Sequence, residues 1–187
     1  FPYVLVMEAG ERSLHDACAK ERLAGNEMSK VRDAFRCVVE CVAKLHKAGV
    51  VHADLKQRNI LRVRAMEAVE ALWILCDMDA SAHEGAAVGQ KTSSAYAPPE
   101  LARRKIAAQD GRLKKAELSF DVWSLGVILL ARCIGRTLFA QDTSNDGLVN
   151  ESDRQRLYAW EVISEAELDL VFASSDAAFP EGEDKQQ

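Results

Sequence analysis

The chain has 187 residues, 48% hydrophobic and 28% charged, with a formal net charge of -5 at pH 7. That length suits one domain or one large lobe, and an acidic balance leaves no electrostatic footprint for a nucleic-acid partner. No apolar run approaches the roughly 20 residues that a membrane-spanning helix needs.

The opening stretch "FPYVLVMEAG" predicts a buried strand over 3–7, not a signal peptide. It begins at Phe1 and patterns as a strand in mid-fold, so the expectation is a chain that starts inside a larger domain. "AGERSLHD" then supplies a Gly turn and a Ser13 cap for a short helix around Leu14 to Leu23. The clearest helix is "EMSKVRDAFRCVVECVAKLHKAG". Val31, Phe35, Val38, Val42 and Leu45 recur at three- and four-residue spacing, Ser29 is the predicted N-cap and Gly49 the C-cap. "VVHADLKQRN" reads as a loop, "ILRV" as a strand, and "ALWILC" as a second, fully buried strand. "SFDVWSLGVILLARCIG" is nearly apolar all round, predicting a helix inside a core that Gly135 can end. Helical pattern returns over 152–161 and weakly over 165–173. The layout is mainly helical, with small β-ribbons beside a polar loop.

The five cysteines, Cys18, Cys37, Cys41, Cys76 and Cys133, are a scattered set with no CxxC pair. They predict reduced thiols in a cytoplasmic or nuclear protein, with Cys37 and Cys41 filling space on one helix face.

The chemistry concentrates in "HADLKQRN" at 52–59 and in "CDMDAS" at 76–81. Asp54 offers a carboxylate that can take a hydroxyl proton, Lys56 an ammonium that can neutralise a phosphate oxygen, and Asn59 an amide oxygen for a hard cation. Asp77, just after a strand, is a natural second ligand for Mg²⁺. Such parts suit phosphoryl transfer, where catalysis is mostly positioning and charge neutralisation. Alone, an Asp-x-Lys is more often a solvated turn, so the weight rests on the company it keeps.

That company resembles the C-terminal lobe of a eukaryotic protein kinase, from Tyr3 to about Gly135. The family's H-R-D-L-K-x-x-N is present as His52-Ala53-Asp54-Leu55-Lys56-Gln57-Arg58-Asn59, its D-F-G as Asp77-Met78-Asp79, and its A-P-E as Pro98-Pro99-Glu100. Its D-x-W-S-x-G is Asp121, Trp123, Ser124 and Gly126, and "LVMEAG" is similar to the hinge. The resemblance implies a mainly α, α+β lobe over 1–173, and the polar composition of 174–187 predicts a disordered tail. It implies that ATP and Mg²⁺ are cofactors and that a protein Ser or Thr hydroxyl is the acceptor. Asp54 would deprotonate the hydroxyl, Lys56 hold the γ-phosphate, and Asn59 and Asp77 hold Mg²⁺. Met7, Glu8, Ala9 and Gly10 would meet adenine, with Leu61 packed under the ring. His52, Glu100 and Asp121 would be structural supports, Asp121 by accepting backbone N–H groups of the loop. Residues 77 to 100 would form the activation segment, with Thr92, Ser93 and Ser94 near its peptide-binding end.

Two positions depart from the family pattern. Ala53 replaces an arginine that ordinarily meets an activation-segment phosphate, which removes that route of control. Asp79 replaces a glycine, adding a Cβ and a charge where backbone freedom is usual. The resemblance also implies a Gly-rich loop, a strand lysine and a helix glutamate upstream, and none falls within this chain. No late arginine suggests itself as a partner for Glu100, and "RRKIAAQDGRLKK" reads as a solvated loop rather than a docking patch. The first reading is therefore a Ser/Thr kinase lobe. The alternative is a catalytically inactive, kinase-like scaffold. A small-molecule phosphotransferase is a third reading, disfavoured by the "SSAYAPPE" segment.

Overall fold

In a computed structural model the described residues are 9–21, 28–64, 72–89, 93–107, 114–134, 137–142, 144–162, 164, 165 and 169. The strand expected over 3–7, the stop at Gly135, most of the weak helix over 165–173 and the tail over 174–187 lie outside them.

Strand β1 (Arg12–Ser13) runs directly into helix α1 (Leu14–Glu21). Ser13 makes the change of direction possible: its Oγ accepts the Asp16 N–H at 3.1 Å and donates to Asp16 Oδ2 at 2.7 Å. This is a side-chain N-cap, and the Ser13 hydroxyl holds the Asp16 carboxyl below its usual range. Helix α2 (Met28–Lys47) buries Val31, Phe35, Val38 and Val42 of the predicted stripe, with Ala34 beside them, while Leu45 is only half-buried. Ser29 is not its N-cap, because it lies one residue inside the helix and is exposed. Gly49 ends the helix as expected, with φ 70° and its N–H donated to His46 O at 2.9 Å.

What reads as a loop after α2 begins with a short strand, β2 (Val50–Val51), paired antiparallel with β5 (Ala82–His83). A single 3₁₀ turn, Gln57–Asn59, leads into β3 (Ile60–Val63), which pairs with β4 (Leu72–Leu75). The three-stranded order is β1-β3-β4, so among the described residues β4 is an edge. One correction follows from side chains alternating along a strand: Trp73 and Leu75 turn toward the core, while Leu72, on the other face, is half exposed, so the apolar β4 is not fully buried.

Helix α3 (Pro99–Ala107) contains the first part of the stretch expected to be a solvated loop. Beyond it Lys114 is buried, its ammonium 4.5 Å from the centroid of Phe120, which corrects the solvated reading there. Helix α4 (Ser119–Ile134) buries Phe120, Val127, Ile128 and Ala131. It is not enclosed on all sides, because Val122 is 60% exposed and Leu129 40% exposed. Among the described residues α4 packs on one side, against α2 and the segment 95–97.

The chain then makes a small hairpin, β6 (Gln141–Asp142) and β7 (Gly147–Leu148), and helix α5 (Glu151–Tyr158), close to the predicted helix. Arg103 on α3 caps α5 by donating Nε to Tyr158 O at 2.6 Å and Nη2 to Trp160 O. The architecture is helical with small antiparallel sheets at one end, the fold class expected. Among the described residues no helix is long and apolar enough to cross a membrane.

Candidate active site

Asp121 organises the polar loop. It is fully buried at the start of α4, and its carboxylate accepts His52 N–H at 2.8 Å on Oδ2 and Ala53 N–H at 3.0 Å on Oδ1. Oδ2 also meets His46 Nε2 at 2.9 Å. Backbone donors with no strand or helix to join are thereby satisfied inside the protein. They allow Ala53 to take φ 64°, a left-handed conformation that costs an alanine about 1–2 kcal/mol.

His52 is fully buried beneath this turn. Its Nε2 lies 3.1 Å from Cys76 O, which can only accept, and its Nδ1 lies 3.4 Å from Asp54 N, which can only donate. Those partners assign the neutral imidazole with its proton on Nε2. The ring therefore ties the loop to the residue before Asp77.

Asp54 is 5% exposed. Its Oδ1 accepts the Ser93 N–H at 2.8 Å, and Oδ2 lies 3.5 Å from Lys56 Nζ. Lys56 Nζ donates to Ser93 Oγ at 3.0 Å and stands 3.4 Å from Asp146 Oδ2. Asp54 and Lys56 are thus brought together, with Ser93 holding both. Ser93 is itself buried, so it is a structural partner here rather than an exposed modification site. Thr92 lies outside the described residues, and Ser94 accepts Leu148 N–H at 2.9 Å through Oγ.

Asn59 donates Nδ2 to Asp54 O at 2.9 Å, which orients its amide within the loop. Its own carbonyl accepts Cys76 N–H at 2.9 Å, placing Asp77 one residue beyond. Asp77 is exposed with φ 61°. An amide oxygen and a carboxylate form the hard donor set that Mg²⁺ takes, with water and phosphate completing the shell. Among the described residues no three His, Cys, Asp or Glu side chains gather into a metal site of their own. Asp79 sits in a 3₁₀ turn, Met78–Ala80. The left-handed residue is Asp77, so the position where the family carries glycine makes no demand for positive φ in this chain.

On the hinge side Met7 and Glu8 lie outside the described residues, while Ala9 and Gly10 are exposed. A Cβ built on Gly10 would stand 3.1 Å from Leu61 Cδ1, so the glycine lets the backbone here lie close over Leu61. Glu100 is the second residue of α3, half-buried. Its helix is anchored by Arg103, four residues after Pro99, an arginine that the sequence reading did not pick out.

The segment after Asp77 is laced to the protein by backbone bonds. Beyond the β2–β5 pair, Gly85 N–H donates to Ala116 O at 2.9 Å, Ala116 N–H to Ala86 O at 2.7 Å, and Val88 N–H to Lys114 O at 2.7 Å. Ala53 lies beside it in an apolar cluster with Val51, Val88, Ala97, Leu101 and Phe120, where an arginine would have brought charge. Further along, Tyr96 is buried, and that burial, assisted by the Asp146 carboxylate, pushes its phenol up to about 12. The five thiols are free, and burial pushes Cys18, Cys41, Cys76 and Cys133 up, away from thiolate chemistry.

A helical lobe carrying an Asp-Lys-Asn loop beside a second aspartate at a strand end defines a kinase-like lobe. The chain matches the protein kinase domain family over residues 2–177 and belongs to it. It is 31% identical over 182 residues to the serine/threonine-protein kinase Kist of Rattus norvegicus, covering 94% of this chain and 39% of that protein. It is 34% identical over 141 residues to the hormonally up-regulated neu tumor-associated kinase of Homo sapiens, covering 73% of this chain and 18% of that one. The chain therefore spans well under half the length of these relatives. Among solved structures, the Cydia pomonella granulovirus kinase has a similar fold, with a TM-score of 0.61 at 20% identity, over 90% of this chain and 60% of the other.

Proposed function

We propose that this chain supplies the catalytic loop of a Ser/Thr protein kinase, moving the γ-phosphoryl group of ATP to a protein Ser or Thr hydroxyl. One observation carries the reading: Asp54 and Lys56 lie 3.5 Å apart on a loop that buried Asp121 holds by its backbone. The acceptor oxygen attacks phosphorus as the bond to ADP breaks, and its proton passes to Asp54. Oδ1 of Asp54 is fixed by Ser93 N–H, which leaves Oδ2 as the oxygen that takes the proton. Lys56 neutralises a γ-phosphate oxygen, and a lysine at this place in the loop supports Ser/Thr over Tyr acceptors by family resemblance. Asn59 and Asp77 would hold Mg²⁺ through their oxygens, and the metal would supply charge neutralisation to the phosphoryl transfer; Ala9, Gly10 and Leu61 would line the adenine side.

The test is transfer of labelled phosphate from ATP by the full-length protein to a degenerate peptide mixture, with and without chelator. Label on Ser and Thr that disappears with chelator is expected. Label on Tyr alone would overturn the acceptor assignment. No transfer, with intact fold, would favour the scaffold alternative.

A further inference from the structure

The hairpin of β6 and β7 brings a carboxylate to the catalytic loop that none of the roles above uses. Asp146, at its tip, is 6% exposed, with φ 56°. Its Oδ2 stands 3.4 Å from Lys56 Nζ, and its Oδ1 3.4 Å from Arg58 Nε. The tip is built to hold it there. Asp142 Oδ1 accepts Ser144 N–H and Oγ–H at 2.8 and 2.7 Å, Asp142 O accepts Asp146 N–H at 2.9 Å, and Asn145 Oδ1 accepts Gly147 N–H at 2.8 Å. Three bonds dock the tip onto the segment beside Asp54: Ala95 N–H to Asp146 O at 3.2 Å, Leu148 N–H to Ser94 Oγ at 2.9 Å, and Tyr96 O–H to Gln141 Oε1 at 3.3 Å.

We propose that Asp146 is a positioning residue for Lys56, holding its ammonium between two carboxylates so that it does not collapse onto Asp54. The proposal rests on the reading that Asp54 takes the acceptor's proton. An ammonium has three N–H donors, and among the described residues Lys56 has three acceptors around it: Ser93 Oγ at 3.0 Å, Asp146 Oδ2 at 3.4 Å and Asp54 Oδ2 at 3.5 Å. Both carboxylate distances exceed the roughly 2.7–2.9 Å of a committed ammonium–carboxylate bond. The lysine is therefore shared between the two, and neither captures it. Without Asp146, the remaining carboxylate is Asp54, and a close ion pair there would occupy the oxygen that has to receive a proton. Arg58 offsets the rest of the Asp146 charge, so Lys56 can turn toward a phosphate without stranding a buried anion.

The variants are Asp146→Asn, which keeps the shape and tolerates left-handed backbone, and Asp146→Gly, which suits that backbone and removes the side chain. In the full-length protein both should lower kcat roughly tenfold or more, as a misplaced group does, with KM for peptide and the melting temperature little changed. A merely structural role would shift melting temperature and leave kcat alone. Independently of activity, acetylation of Lys56 by an N-hydroxysuccinimide ester, followed by mass spectrometry, should change several-fold in the variants while exposed Lys44 stays constant. An unchanged Lys56 labelling rate overturns the proposal, as does an unchanged kcat. Wild-type protein with no Asp54-dependent transfer would instead overturn the kinase reading, and the labelling still decides whether Asp146 holds Lys56.

Discussion

Two polar clusters flank β3 in the chain and the sheet, and they are built differently. At the 52–59 loop a fully buried carboxylate, Asp121, accepts backbone N–H groups and sets the shape of the chain. Across the β1–β3 pair, antiparallel pairing puts Arg12 directly opposite Arg62, a like-charge pair that the sheet alone would not tolerate. Glu21 resolves it, accepting from Arg12 Nη1 at 2.8 Å and from Arg62 Nη1 and Nη2 at 2.9 and 2.7 Å, with Glu11 adding a bond to Arg62 at 3.2 Å. The second cluster is also rich in ion pairs, yet water reaches it. Burial, not the number of bonds, decides which cluster the fold depends on.

The largest effect separating them should come from Asp121→Asn. An amide NH₂ would face a backbone N–H in a fully buried site, at a cost of about 2–4 kcal/mol, read as a lower urea midpoint. A loss below about 1 kcal/mol would mean that the loop holds its own shape, since that is the scale of an exposed pair. Next comes Glu21→Gln, expected to cost about 1 kcal/mol or less, as exposed pairs do. Its sign with pH is fixed: hydrogen bonding from Arg62 lowers the Glu21 pKa. Its contribution is therefore complete above the ordinary carboxylate range and fades as pH falls through its lowered folded value. Wild type and variant should converge in stability in acid, and a difference that persists there would sever the comparison. The smallest effect is Ala53→Gly. Relief of the left-handed strain outweighs the loss of one buried methyl, for a net gain of about 0.5 kcal/mol; a clear loss would show that the Ala53 methyl matters more to its apolar cluster than the backbone strain does.

Much of this was legible in the sequence because the informative residues are close together. His52 to Asn59 sit on one loop, and the stripe of α2 repeats at helical spacing, so neither needs knowledge of what lies across the fold. Errors arose where the answer depended on a distant neighbour. The run in β4 is apolar, but its side chains alternate between two faces and only the Trp73 face meets the core, which leaves Leu72 half exposed. The apolar helix α4 leaves Val122 and Leu129 exposed for the same reason: composition does not say how many sides are covered. Ser29 has the chemistry of a cap, yet the helix begins one residue earlier. Asp146 and Arg103 were invisible, since strands of two residues are too short to alternate and an arginine's carbonyl partners are dictated by packing. A cue was present in "SNDG", a turn signal of the kind that builds hairpins.

The most direct test of the central claim is turnover by full-length Asp54→Asn beside wild type, each with its unfolding midpoint measured. The change keeps the Oδ1 acceptor for Ser93 N–H and removes the proton acceptor. A fall of about 10²–10⁴-fold, typical of a lost general base, is expected with the midpoint nearly unchanged. Equal turnover at equal stability would contradict the assignment of this loop as the site of phosphoryl transfer.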